Sequence, residues 1–269
     1  MDIEQRWEAL RPGVVTEYGT DRTDHVAQLL TAMTDLRVRN LDVYLSKLER
    51  APLGSDEFAA TLREGVYARD FASQSSVVVT VEPHGARGPD LGVEVDGVPV
   101  NVEIKRLTEG DRSRGESLED WYQDEFDPEA RPSSREWVTR KLADVIRAAS
   151  SQLVEGELNV IILADFSAAL GRQNFIHATE DLAAEIELNR TYGRVNLVQY
   201  DANFSGPVNN YLWANARAKV PMPPEVQRFF RARAAARSQQ SNDQLARVLG
   251  ANGRGWSDAR YSVQADTCQ

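Results

Sequence analysis

The stretch Arg87–Leu107, RGPDLGVEVDGVPVNVEIKRL, decides the fold. Asp96-Gly97 divides it into two alternating runs, and a type I′ hairpin turn needs positive φ at both central positions, which these residue types tolerate. With that pair as the loop, Val95 faces Val98, Val93 faces Val100, Leu91 faces Val102 and Asp90 faces Glu103. Strand side chains alternate with period two, so Leu91, Val93, Val95, Val98, Val100, Val102 and Ile104 share one apolar face. Asp90, Glu103 and Lys105 share the other. Pair types also alternate, starting from the hydrogen-bonded pair beside the turn. Asp90 and Glu103 are therefore expected to be a non-hydrogen-bonded pair, with Cα atoms about 4.5 Å apart. Pro99 falls at another non-hydrogen-bonded site, where its missing N–H is not needed.

Two carboxylates directly opposite each other destabilise a sheet unless something compensates. A divalent cation does so. Hard oxygen ligands suit Mg²⁺ or Mn²⁺, which takes one or two carboxylates and completes its shell with water and phosphate oxygens. Lys105, two residues beyond Glu103, adds an ammonium that can stabilise developing negative charge. An E-x-K on an exposed strand is common in itself, because alternating charge keeps a solvated face from pairing. The specificity lies in the conjunction: a Pro-Asp opposite the glutamate, an apolar reverse face, and one of only 4 lysines in a chain with 27 arginines.

At these residues the sequence resembles the PD-(D/E)xK nuclease superfamily, the restriction-endonuclease-like fold. Pro89-Asp90 looks like the family's "PD", and Glu103-Ile104-Lys105 looks like its "ExK". The resemblance implies that Asp90 and Glu103 bind the metal, that Ile104 lends its main-chain carbonyl, and that Lys105 assists catalysis. Family members often add an acidic residue from the first helix. Glu57 and Glu64 are the candidates here, and Glu64 is preferred because it lies about one helix length ahead of the next strand. The motif covers Pro89 to Lys105 and identifies no subfamily.

Periodicity outside the motif gives an element order of its own. Val26, Leu29, Leu30, Met33 and Leu36, then Leu41, Tyr44, Leu45 and Leu48, recur at helical spacing, and Pro52-Leu53-Gly54 ends that unit. A helix opening at Ser55 is followed by the strand VVVTVEP and then by the hairpin. Residues 108–132 are polar and acidic, reading as a flap or as disorder. A capping box, Ser133 to Glu136, starts a helix with Val138, Leu142, Val145, Ile146, Ala149 and Leu153 on one face. The apolar run LNVIILADF then reads as a strand buried on both faces. A further strand, RVNLVQYDANF, extends the sheet, with ATEDLAAEIELN as a helix before it.

The expected fold is α/β: an αβββαβ core with a mixed central sheet flanked by helices, plus helical extensions at both ends. The divisions are an N-terminal helical extension over 1–52, a core over 53–215 and an arginine-rich tail over 216–269. In that tail Arg228, Arg231, Arg233 and Arg237 cluster on a helix beginning after Pro224, with Phe229 and Phe230 among them. Such a helix suits a nucleic-acid backbone, although scattered arginines usually mark a solvated face. The glycines of GANGRG, residues 250–255, follow no strand and precede no helix, so they do not cradle phosphate.

Composition frames the rest. A net charge of −10 argues against a surface coated for nucleic acid, though not against a local basic groove. No run approaches the roughly 18 apolar residues of a membrane span, and the N-terminus lacks a basic start followed by an apolar core. A cytoplasmic protein is expected. The single cysteine, Cys268, cannot staple a fold, and His25, His84 and His177 show no metal-ligand spacing. The favoured function is a Mg²⁺- or Mn²⁺-dependent endodeoxyribonuclease of restriction, repair or recombination. Its partner is DNA, with RNA and a homodimer left open. The alternative is a non-catalytic nucleic-acid-binding or assembly protein that keeps the fold.

Overall fold

A computed structural model describes residues 3–85, 87–107, 133–165, 172–185, 192–202 and 210–236. Its helices are α1 (Ile3–Asp35), α2 (Leu41–Arg50), α3 (Asp56–Ala72), α4 (Ser133–Ser150) and α5 (Arg172–Glu185), followed by α6 (224–236). Its strands are β1 (Val77–Val81), β2 (Leu91–Val95), β3 (Val98–Leu107), β4 (Asn159–Asp165), β5 (Leu197–Ala202) and β6 (Asn210–Ala214). They form one open mixed sheet in the order β1-β2-β3-β4-β5-β6. The pairs β3–β4 and β4–β5 are parallel, and the other three are antiparallel.

The hairpin has the register read from its turn: Leu91 pairs with Val102, Val93 with Val100 and Val95 with Val98. Asp96 and Gly97 have φ of 49° and 83°, both in the left-handed region that the turn requires. Val102 and Ile104 of β3 join Val160, Ile162 and Ala164 of β4 in a core beneath α1, α2 and α3. Ile161 and Leu163 face the other way, into a second core with Leu142, Ile146, Phe175 and Leu182 of α4 and α5. The apolar run of β4 is continuous because helices cover both of its faces. The order α3-β1-β2-β3-α4-β4 matches the helix, three strands, helix and strand read from periodicity. The strand β6 was not anticipated. Its Tyr-Leu-Trp run lacks alternation, so nothing in it marks an edge strand.

The N-terminal helices share the core of the sheet instead of standing apart from it. Arg39 N–H donates to Val79 O and Val81 N–H to Arg39 O, so the chain between α1 and α2 lies along the free edge of β1. The Asn40 side chain also donates to Val81 O. Leu36 departs from expectation and is exposed: α1 ends at Asp35, and Arg37 turns the chain in left-handed geometry with φ 56°. Inside α3, Gly65 has a packing role. A Cβ there would lie 2.2 Å from the Tyr44 hydroxyl, so the absent side chain is what lets α2 approach α3.

The polar stretch 108–132, the capping-box side chains Ser133 and Glu136, Arg237 and the 250–255 turn lie outside the described residues. Among the described residues, no helix is long and apolar enough to cross a membrane.

Candidate functional site

The hairpin places Asp90 one residue before β2 and Glu103 within β3. The Asp90 carboxylate bridges the two strands: its Oδ2 accepts the Ile104 N–H at 2.8 Å. Ile104 thus meets Asp90 through its main-chain N–H, while its side chain is buried in the core. Glu103 is fully buried at 0% exposure. The Lys105 ammonium is its ion-pair partner, yet neither Glu103 oxygen accepts a hydrogen bond of ordinary geometry. Lys105 is held on its other side by Gln152, just beyond α4, donating from Nζ to Oε1 at 2.6 Å.

Glu64 arrives from α3. That helix is capped by Ser55, whose side chain accepts the Phe58 N–H, and it buries Phe58, Thr61, Gly65, Ala68 and Phe71 along one stripe. Glu64 falls on the same stripe and is 6% exposed, a position a glutamate rarely occupies unpaired. Its partner is Lys47 of α2, with Nζ 2.7 Å from Glu64 Oε2. The same ammonium lies 3.3 Å from Glu82 Oε1 and 3.5 Å from Asp90 Oδ1. Glu82 directly follows β1 with φ 43°, a left-handed backbone uncommon for a non-glycine residue and one that clusters at functional sites. Glu57, the other candidate on α3, is exposed.

Four carboxylates thus meet two ammonium groups at one end of the hairpin. Burial, reinforced by the charge of Asp90, raises Glu64 from 4.5 to about 8 against the pull of Lys47. Burial and Asp90 likewise raise Glu103 from 4.5 to about 7 against the pull of Lys105. Burial pulls Lys47 down, but Glu64, Asp90 and Glu82 outweigh it and hold the ammonium charged well above the ordinary lysine range. Burial is the larger cause and the Asp90 charge the smaller, so ionising both carboxylates in place calls for added positive charge.

A divalent ion fits that requirement in its chemistry. The donors are hard carboxylate oxygens, and Oε2 of fully buried Glu103 has no partner, while its Oε1 is paired with Lys105. Among the described residues, however, no group of three or more His, Cys, Asp or Glu stands ready to hold a metal. Lys47 lies among three of the carboxylates instead. Sequence reasoning missed Lys47, Glu82 and Gln152. The scarcity of lysine was the only available signal for Lys47, and a strand-ending Glu-Pro was a weak one for Glu82.

The arginine helix is not a uniform basic face. Arg228 and Arg231 are exposed, whereas Arg233 is 5% exposed and stacks over the Phe71 ring at 4.0 Å. The cause is the docking face of α6: Val226, Phe230 and Ala234 recur every four residues and are buried, and Arg233 turns inward beside them. The expected outward cluster is corrected in this respect. Comparison of the chain with family models, curated proteins and solved structures returns no match, so the reading of the site rests on its own residues.

Proposed function

We propose that the protein is a divalent-metal-dependent phosphodiesterase with a restriction-endonuclease-like core, acting as an endonuclease on DNA. The observation that carries this reading is the fully buried Glu103, whose Oε1 is ion-paired with Lys105 and whose Oε2 is left without a partner, beside the strand-bridging Asp90. Glu64, reaching the same cluster from the first helix of the core, supports it.

Asp90, Glu103 and the main chain of Ile104 would hold Mg²⁺ or Mn²⁺, with Glu64 close by. The bound ion supplies Lewis-acid polarisation of the phosphate and a more acidic water. The protein's own groups do the rest. The Ile104 N–H fixes one Asp90 oxygen and so orients the carboxylate. Gln152 and Glu103 grip Lys105 from two sides, which limits its rotamers and holds its charge where negative charge develops on the phosphate. Arg228 and Arg231 are exposed on α6 and available to a nucleic-acid backbone.

The test is incubation of the purified protein with plasmid, single-stranded DNA and RNA, in Mg²⁺, Mn²⁺ or EDTA. Metal-dependent cleavage of DNA is expected. Inertness on every substrate in both metals overturns the reading and leaves the non-catalytic binding protein.

A further inference from the structure

Lys47 shares the site with Lys105, so two of the chain's four lysines stand in one carboxylate cluster. Lys47 is not a surface lysine that happens to lie nearby. The β1 edge fixes the start of its helix through Arg39 and Asn40, and Leu41, Tyr44, Leu45 and Leu48 bury the helix beside it. Arg6 clamps the far end by hydrogen bonding to Ser46 and Glu49. Its ammonium has three N–H donors, and three carboxylates surround it: Glu64 from α3, Glu82 from just after β1 and Asp90 from the hairpin. Glu82 takes up a left-handed backbone in the same turn that brings its carboxylate to Lys47.

Formal charge sets the number of ions. With all four carboxylates ionised, as ligation of a cation requires, Glu64, Glu82, Asp90 and Glu103 carry four negative charges, and Lys47 and Lys105 return two positive ones. The remaining two negative charges match one divalent ion. The oxygen left without any partner is Glu103 Oε2, its Oε1 being paired with Lys105, whereas the Glu64–Glu82–Asp90 side is already taken by the Lys47 ammonium. Two-metal phosphodiesterases place their ions about 3.5–4 Å apart, bridged by shared carboxylates. Here Asp90 is the shared carboxylate, contacting both the Ile104 amide and Lys47.

We propose that Lys47 takes the place of a second metal ion: the site binds one divalent ion, and the Lys47 ammonium is a built-in cation at the other position. This rests on the metal-site reading of the previous section. It adds that the ion number is set by a residue of the N-terminal helices, which the hairpin motif does not contain.

The experiment counts ions. Mn²⁺ is titrated into the full chain, with bound ion measured by the loss of the free-Mn²⁺ electron paramagnetic resonance signal. Wild type should bind one ion per chain. Lys47→Met removes the charge at similar length and should bind two, whereas Lys47→Arg keeps the charge and should bind one. Folding of each variant is checked by circular dichroism, and Lys47→Gln replaces Lys47→Met if the latter does not fold. Two ions in wild type, or one in both neutral variants, overturns the proposal while leaving the metal site standing. No ion in wild type overturns the metal site itself. Those two failures are distinct.

Discussion

Glu103 makes the metal-free protein sensitive to pH in a direction opposite to that of ordinary ion-paired carboxylates. Its carboxyl is raised from 4.5 to about 7, with burial first and Asp90 second among the causes. A raised group binds its proton more tightly when folded. Its contribution to stability is present in full below 4.5 and is lost as pH climbs through 7. At 1.36 kcal/mol per unit the loss is about 3 kcal/mol, and Glu64, raised to about 8, acts in the same direction. Carboxylates shifted the other way, such as Glu49 beside Arg6, act only below their ordinary value and leave the window from pH 5 to 8 untouched. Glu103→Gln fixes position 103 in a neutral form. Groups outside the cluster cancel in the difference, and Glu64 changes little because Glu103 is the smallest of the causes of its shift. Of that loss about 2.5 kcal/mol falls between pH 5 and pH 8, so in EDTA the decline of Tm over that range should be smaller in Glu103→Gln than in wild type by about 5–8 °C, taking roughly 2–3 °C per kcal/mol for a chain of this size. The assay is differential scanning calorimetry at both pH values. Parallel pH profiles would refute the buried, charge-poor Glu103 on which the site depends.

Mg²⁺ or Mn²⁺ should raise the melting temperature of wild type and do so much less for Asp90→Asn; equal shifts mean that the ion acts elsewhere. Lys105→Ala should slow metal-dependent cleavage by about a hundredfold or more while changing nucleic-acid affinity little, measured in Ca²⁺ to suppress turnover. Gly65→Ala should destabilise by about 1–3 kcal/mol in a denaturant titration, because its Cβ meets the buried Tyr44 ring and hydroxyl at 2.7 and 2.2 Å. Tyr44→Phe should restore part of that loss, since the hydroxyl is the nearer atom and has no hydrogen-bond partner. Arg233→Ala should cost about 2 kcal/mol or more, whereas Arg228→Ala should stay within about 0.5 kcal/mol. Equal costs would contradict the inward docking of Arg233.

The hairpin was legible because every determinant of it is local. The Asp96-Gly97 turn fixes the register from Val95–Val98 to Leu91–Val102, and counting one step further along the same ladder sets Asp90 beside Glu103. The double-sided burial of β4 was legible for the same reason, as composition within seven residues. Glu64 was half legible: its place on α3 followed from spacing, but its burial beside Lys47 depends on how α2 packs against α3. Lys47 and Asp90 are 43 residues apart, and no pattern along the chain brings an ammonium from one helix onto carboxylates from a second helix, a strand end and a hairpin. Packing decides that, through the Arg39–Asn40 segment on the β1 edge and the missing side chain at Gly65. Arg233 shows the same limit from the other side. Its charge suggested solvent, and only the choice of Val226, Phe230 and Ala234 as the buried face of α6 turned it inward over Phe71. The sequence determined which residues a strand or helix presents together; the tertiary structure decided which elements meet, because contacts between distant segments depend on how whole faces fit and not on any local period.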